Sequence, residues 1–432
     1  MATTKSLANN TTTNGATTTP NPLPILIAGG GCVGLFLSLL LTTSPLSHPI
    51  ILLEPSSPDP SSTRAMAHQP PTYPILSRIP GLLAELIATG SLSSGLCFRT
   101  SVGHGSRVIA EKKFDNRGEG KGQLLLAQGR FQEVLMRRVG ERGGGDVRIG
   151  WRVVGVEKRA GGGGVRVRAV HDADGREEVI DARFLVGADG GRSLVRKELG
   201  ASFDGETLDA QLVALDLHFD FQRYNFHDAN FIIDPSHYGL IGRITSSTPA
   251  LWRVSYGVPL GLSEADIEAG VHDKLAHMLP NAGLDENGKR AYEVVRIAPY
   301  KAQQRLASTL YESGVCLIGD AAHLTNPYAG LGLASGIADA SSLADVLLRV
   351  LSNQATDGEK LLRAWSEARR AKFMEVVDKP SRLAYARVRS DVSSEEKVQE
   401  LLQKDKMVGA LKQGMPVAPK SLETKGEELE GW

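Results

Sequence analysis

The chain reads as an α/β protein: a Rossmann-like parallel sheet interleaved with an antiparallel sheet and closed by C-terminal helices. Three observations predict this. First, the apolar runs Ile25-Leu26-Ile27-Ala28, Phe184-Leu185-Val186-Gly187 and Val315-Cys316-Leu317-Ile318 each enter a turn rich in glycine or acid. Strands buried on both faces of a parallel sheet carry such continuous apolar runs. Second, residues 211–220, 229–244 and 251–258 alternate in the manner of antiparallel strands. Third, helical pattern dominates from about Ile337 to Val350 and again through 351–414.

The first run enters Gly29-x-Gly31-x-x-Gly34, and Leu35 to Leu41 can continue as a helix. Gly29 permits a tight turn, Gly31 lets backbone approach a pyrophosphate, and Gly34 lets helix pack closely on strand. The free N–H groups and positive dipole end of such a helix favour an anion. Glu54 ends the next apolar run, Ile50-Ile51-Leu52-Leu53, where a carboxylate is expected to accept hydrogen bonds from ribose hydroxyls. An acid there disfavours a 2′-phosphate, so the dinucleotide expected is FAD or NAD. A membrane span over Leu23 to Leu41 fits less well, because the glycines cluster at one point and no basic segment precedes them.

The other two turns separate FAD from NAD. Asp320 follows the third strand, where a carboxylate can bind the ribityl hydroxyls of a flavin. Asn326-Pro327-Tyr328-Ala329-Gly330-Leu331-Gly332-Leu333 then leads into a helix. Gly330 and Gly332 let backbone reach a flat ring. The helix N-terminus would direct N–H groups at its electron-rich edge.

Over roughly residues 22 to 390 these motifs make the chain resemble the single-component aromatic hydroxylases, the flavin monooxygenases typified by p-hydroxybenzoate hydroxylase. The resemblance implies that Gly29, Gly31, Gly34 and Glu54 hold the ADP part of FAD. It implies that Arg64-Ala65 contacts the flavin side and that Gln128, opening a helix, binds cofactor. It makes Asp189-Gly190 a motif tied to FAD and the nicotinamide donor, and gives Gly319-Asp320, Pro327, Gly330, Gly332 and Leu333 places beside the flavin. One departure is Ala334, where the family usually has Asn after that proline. The resemblance also implies NADPH or NADH as electron donor, O2 as co-substrate, and transfer of one oxygen atom from a flavin C4a-hydroperoxide. A second nucleotide-binding fold is not visible, and the choice between NADPH and NADH stays open.

The segment between the second and third motifs is expected to carry substrate. Leu251-Trp252-Arg253-Val254-Ser255-Tyr256-Gly257-Val258-Pro259 resembles a family strand whose arginine lies near the ring, which nominates Arg253. In the preceding strand Tyr238, Leu240, Gly242 and Ile244 share a face by period-two alternation. Gly242 and Ile244 stand where the benzoate hydroxylase holds a carboxylate with Ser and Arg, so a larger or more apolar aromatic or polyketide-type substrate is expected. Tyr238 and His237 are candidates to exchange a proton with a phenol. His323 is expected to fix the loop behind the flavin.

Cys32, Cys97 and Cys316 lie far apart and the ten histidines show no ligand spacing, so metal chemistry is not expected. The cofactor must then carry the redox step. Epoxidation on the same scaffold remains an alternative, as does a flavin-binding protein without activity. A halogenase is disfavoured because Trp151, Trp252, Trp365 and Trp432 are isolated.

The chain has 432 residues, enough for two or three units, with 49 basic against 49 acidic side chains. That balance argues against nucleic-acid partners. Few cysteines suit a reducing compartment, the cytoplasm. Residues 1–21 read as a flexible tail and not as a secretory signal. The FAD-binding unit is expected from 22–95, 122–205 and 295–350, and the substrate sheet from 96–121 and 206–294. C-terminal helices should fill 351–414, with a loose tail over 415–432. Within the first unit Trp151 to Lys158, Val165 to Val170 and Asp174-Gly175 suggest a small meander, with Gly161 to Gly164 setting a turn.

Overall fold

Every strand that precedes one of the three motifs ends at the same edge of one sheet. A computed structural model describes residues 22–117, 121–143, 145–159, 163–415 and 420–432. The expected tail over 1–21 and residues 161–162 of the glycine run lie outside the described residues. The six-stranded sheet runs Tyr311–Glu312, Val315–Leu317, Phe184–Gly187, Ile25–Ala28, Ile50–Glu54 and Gly145–Ile149. All neighbours are parallel except the first pair. Ile25, Leu26, Ile27, Leu185 and Val186 are fully buried, as continuous apolar runs between helices require. Ala28 pairs with Gly187, and Gly187 with Leu317, so the three motifs leave side by side. In open α/β sheets that carboxyl edge is where ligands bind.

An eight-stranded sheet stands beside it, in the order His323–Leu324, Glu293–Ala307, Phe203–His218, Leu251–Pro259, Gly239–Arg243, Ala229–Ile233, Gly95–Thr100 and Val108–Lys113. The expected single strand over 229–244 is two strands. Asp234 turns the chain, its carboxylate accepting from the Ser236 and His237 N–H groups, and Pro235 cannot donate to a ladder. The expected boundaries at 205/206 and 294/295 fall inside the Phe203–His218 and Glu293–Ala307 strands, both of which belong to this sheet. Side-chain pattern could not place them, because each strand passes from one packed environment to another. One face of the sheet packs on the helix Glu264–Met278 through Ile267, Val271 and Leu275, the other toward Tyr238, Tyr328 and Tyr385. The expected meander is the three-stranded sheet Trp151–Lys158, Val165–His171 and Glu177–Ala182.

The C-terminal end is not loose over its described part. Arg369 donates to the Leu422 carbonyl and the Thr424 hydroxyl, and Leu422 and Leu429 are buried. Among the described residues no helix is long and apolar enough to cross a membrane.

A buried histidine gives the fold a pH signature. His68 meets Phe131 edge-on and sets a ring nitrogen 2.9 Å from the Leu126 carbonyl oxygen. Burial pushes its pKa down from 6.5 to about 4. The folded imidazole stays neutral while the unfolded one takes up a proton, so stability is full above pH 6.5 and declines as pH drops toward 4. The slope is at most roughly 1.4 kcal/mol per pH unit. His68→Gln should flatten that part of a urea-midpoint profile; a profile with the same slope would remove His68 as its source.

Candidate active site

The helix Cys32–Thr42 begins at Gly31 with no side-chain cap and no acid in its first turn. Five other helices start on a capping Ser or Asp: Ser193, Ser263, Asp357, Ser394 and Asp405. The N–H groups at Gly31 are therefore free for a ligand anion. Gly29 has φ +107°, and a Cβ there would lie 2.3 Å from the Ala188 carbonyl oxygen. A Cβ at Gly34 would lie 2.0 Å from the Gly29 oxygen. At Gly31 a Cβ would meet nothing within 4 Å, so this glycine faces open space. Glu54 accepts from the Gly30 N–H at 2.6 Å and the Ser56 N–H at 3.2 Å, which leaves carboxylate lone pairs for a ribose. Gln132 Nε2 braces the same turn on the Gly30 carbonyl at 2.7 Å.

Gln128 opens the helix Gln128–Arg142, again without a side-chain cap, and its N–H donates to Ala65. Asp189 uses its carboxylate on Ser193 and on the Leu194 and Val195 N–H groups. It holds the 189–195 turn, and Gly190 lies within that turn. Asp320 is exposed yet ringed by protein, the mark of a group in a deep cleft. That surrounding raises its pKa, with His323 and Arg64 acting in the opposite direction. The exposed Arg64 is thus close enough for Asp320 to feel its charge. Pro327 starts a short turn, Pro327–Ala329, capped by Asn326. The next helix, Gly332–Leu351, starts five residues before the expected Ile337 and has no side-chain cap. Gly332 and Leu333 form its open first turn, and Ala334 is buried. Glycine lowers helix propensity, which hid that start.

These features fit FAD. Two uncapped helix ends lie at the mouth of one cleft, since Gly336 and Gly319 both pack on Val33. Glu54 stands at the first of the three motif turns and Asp320 at the third.

Arg253 lies against the segment that carries Arg64. It is buried and gives Nε to Asp216 at 2.9 Å, Nη2 to Thr63 at 2.8 Å, and Nη1 to the Arg64 carbonyl at 3.4 Å. A buried guanidinium needs an acid, and Asp216 on the neighbouring strand supplies it. Arg253 therefore steadies the segment that carries Arg64 and Ala65. Arg296 donates to the same Thr63 hydroxyl at 2.8 Å.

Tyr238 is buried, with its ring 6.1 Å from Tyr328 and 6.0 Å from Tyr385. Its hydroxyl lies 3.5 Å from that of Tyr385, which donates to Asp209 at 2.7 Å. Arg389 donates to both Asp209 oxygens at 2.8 Å. Tyr385 and Arg389 hold Asp209's pKa down, while burial raises that of Tyr238. Tyr300 is partly exposed but ringed by protein, which pushes its pKa up to about 12, and it acts electrostatically on Tyr328. Gly242 is backed by Met66 and Ile244 is buried, so neither contributes a polar group. His237 lies on the far side, stacked on His277. His323 donates or accepts at Asp339, 2.7 Å away, behind the cleft. Sequence reasoning missed Tyr385, Asp209 and Tyr300. Tyr328 lay inside a quoted motif, but the others come from segments with no signal of their own.

The FAD binding domain family matches residues 22–380. Para-nitrophenol 4-monooxygenase of Pseudomonas sp. (strain WBC-3) is 32% identical over 356 residues, which cover 81% of this chain and 83% of that protein. The 6-hydroxy-3-succinoylpyridine 3-monooxygenase HspB of Pseudomonas putida is 30% identical over 354 residues, 82% of this chain and 86% of that one. The crystal structure of p-nitrophenol 4-monooxygenase PnpA from Pseudomonas putida superposes with a TM-score of 0.80 at 28% identity, covering 91% of this chain and 96% of that one. With the cradle for FAD built from its own residues, this chain belongs to the FAD-dependent aromatic hydroxylases, the single-component flavin monooxygenases.

Proposed function

We propose that this chain hydroxylates a phenol-like aromatic, with NADPH or NADH as donor and O2 as co-substrate. The observation that carries the reading is the cluster of Tyr238, Tyr328 and Tyr385, which brings ring faces and hydroxyls together. Bound flavin supplies the two-electron reduction and the activation of oxygen. Gly29 to Gly34, Glu54 and Asp320 would hold it, Arg64 would offer a cation felt at Asp320, and the glycines at 330 and 332 would let backbone approach the ring. Arg253, through Asp216 and Thr63, positions the Arg64 segment. Removal of a phenol's proton makes its ring more electron-rich, and the Tyr238–Tyr385–Asp209 chain offers that proton a path outward. The named substrates of the two relatives, a nitrophenol and a hydroxypyridine, both carry an acidic ring hydroxyl. The three described cysteines are buried and free, which supports a reducing compartment such as the cytoplasm.

NAD(P)H oxidation is to be followed with a panel of phenols under 18O2. Label in a hydroxylated product supports the reading, label from water overturns it, and an epoxide transfers it to the alternative chemistry. Tyr385→Phe tests the proton path. It should lower turnover roughly ten- to a hundredfold and displace the pH–rate profile. A profile of unchanged shape would restrict Tyr385 to packing.

A further inference from the structure

Arg99 lies on the Gly95–Thr100 strand, 4% exposed, and its Nε and Nη1 have no hydrogen-bond partner among the described residues. It aligns with Ile232 of the neighbouring strand, which packs under the helix Glu264–Met278. It is thus on the sheet face opposite Tyr238, Leu240 and the flavin cleft. Folded proteins rarely leave a buried guanidinium unbonded, since a lost charged hydrogen bond costs more than a neutral one. The face of Phe226, 3.9 Å from the guanidinium carbon, offers part of the compensation. It cannot accept the in-plane N–H bonds.

Above Arg99 opens a cavity of about 910 Å³, walled by Lys113, Arg223, Tyr224, Phe226 and His227. The acids nearby bond other partners, although the Glu111 charge is also felt by Arg99. Glu111 in the wall bonds His227 at 2.7 Å, and Arg223 holds Glu286 at 2.6 Å. The cavity is thus lined by an arginine that no protein group hydrogen-bonds at Nε or Nη1 and by a lysine at its side, between aromatic rings. Bidentate N–H donation to a planar or tetrahedral oxyanion is what a guanidinium fork does best.

We propose that this cavity is a second ligand site, separate from the catalytic cleft, that takes the oxyanion of a small carboxylate or phosphate compound on Arg99 and Lys113. The FAD-loaded protein is to be titrated calorimetrically with benzoate and, separately, with inorganic phosphate. Saturable binding of one anion per chain is expected; which anion binds identifies the carboxylate or the phosphate. Arg99→Met should weaken it by roughly tenfold or more, and the exposed Lys113→Gln by a smaller factor. The flavin spectrum should not respond, because the site is on the other sheet face. Should Arg99→Met fail to fold, Lys113→Gln and an anion-dependent rise in the wild-type melting temperature carry the test. No saturable uptake of either anion, equal uptake by wild type and both variants, or an anion-induced change in the flavin spectrum would each overturn the proposal.

Discussion

Gly31→Val is expected to yield a folded, soluble and colourless protein. Gly31 sits at φ −67° and ψ 176°, an extended conformation open to any residue, and a Cβ there meets nothing within 4 Å. The substitution therefore asks nothing of the polypeptide itself. It does fill the space before the uncapped helix Cys32–Thr42, where a pyrophosphate would take the free N–H groups. Gly29→Ala and Gly34→Ala are expected to fail in another manner. The first needs a positive φ of +107° and drives a methyl into the Ala188 backbone, and the second drives one into the Gly29 oxygen. Both should lower the unfolding midpoint as well as flavin content, the backbone term of Gly29 alone contributing roughly 1–2 kcal/mol. Flavin absorbance per chain and thermal unfolding, measured on all three, separate the two outcomes. Normal FAD content in Gly31→Val would show that the diphosphate does not lie at this helix end.

That contrast also marks how far the sequence could be read. Gly29, Gly34 and Glu54 were legible because their chemistry is local: a turn, a close contact and a strand end, all within thirty residues. The parallel order of the sheet followed from the same runs, since a strand that leads into a glycine turn and helix must return parallel. Arg253 was legible as a residue, but its bonding partners were not. Its partner Asp216 pairs with it across two antiparallel strands, and Thr63 arrives from another unit altogether. The Tyr238–Tyr385–Asp209 contact joins positions 147 and 176 residues apart, for which period and spacing carry no information. Element ends failed where a rule of propensity was overridden: Gly332 opens the Gly332–Leu351 helix although glycine lowers helix propensity.

Asp339→Ala should be the most destabilising single change near the cleft, by about 3–5 kcal/mol, as expected when a buried charge loses its counter-ion. Asp339 is fully buried and accepts from the Gly319 N–H at 3.0 Å, from Arg369 Nε at 2.8 Å, and lies 2.7 Å from His323 Nε2. One carboxylate thus ties the turn that presents Asp320 to a fully buried arginine. That arginine in turn holds Leu422 and Thr424. Cutting it should loosen flavin binding at one end and free residues 420–432 to proteolysis at the other. The pH dependence has a definite sign. His323 and Arg369 hold Asp339's pKa below its ordinary value against the opposing effect of burial. Its stabilisation is full above the unfolded carboxyl value of about 4 and disappears as pH falls through the lowered folded value. A double variant, Asp339→Ala with Arg369→Met, removes both charges and should recover a large part of the loss, because an apolar pair avoids the desolvation cost. Denaturant unfolding of the two single variants and the double variant measures that coupling. If the two single losses simply add up to the loss in the double variant, Asp339 and Arg369 stabilise the protein independently, and the link between the Gly319–Asp320 turn and the C-terminal segment is not carried by this pair.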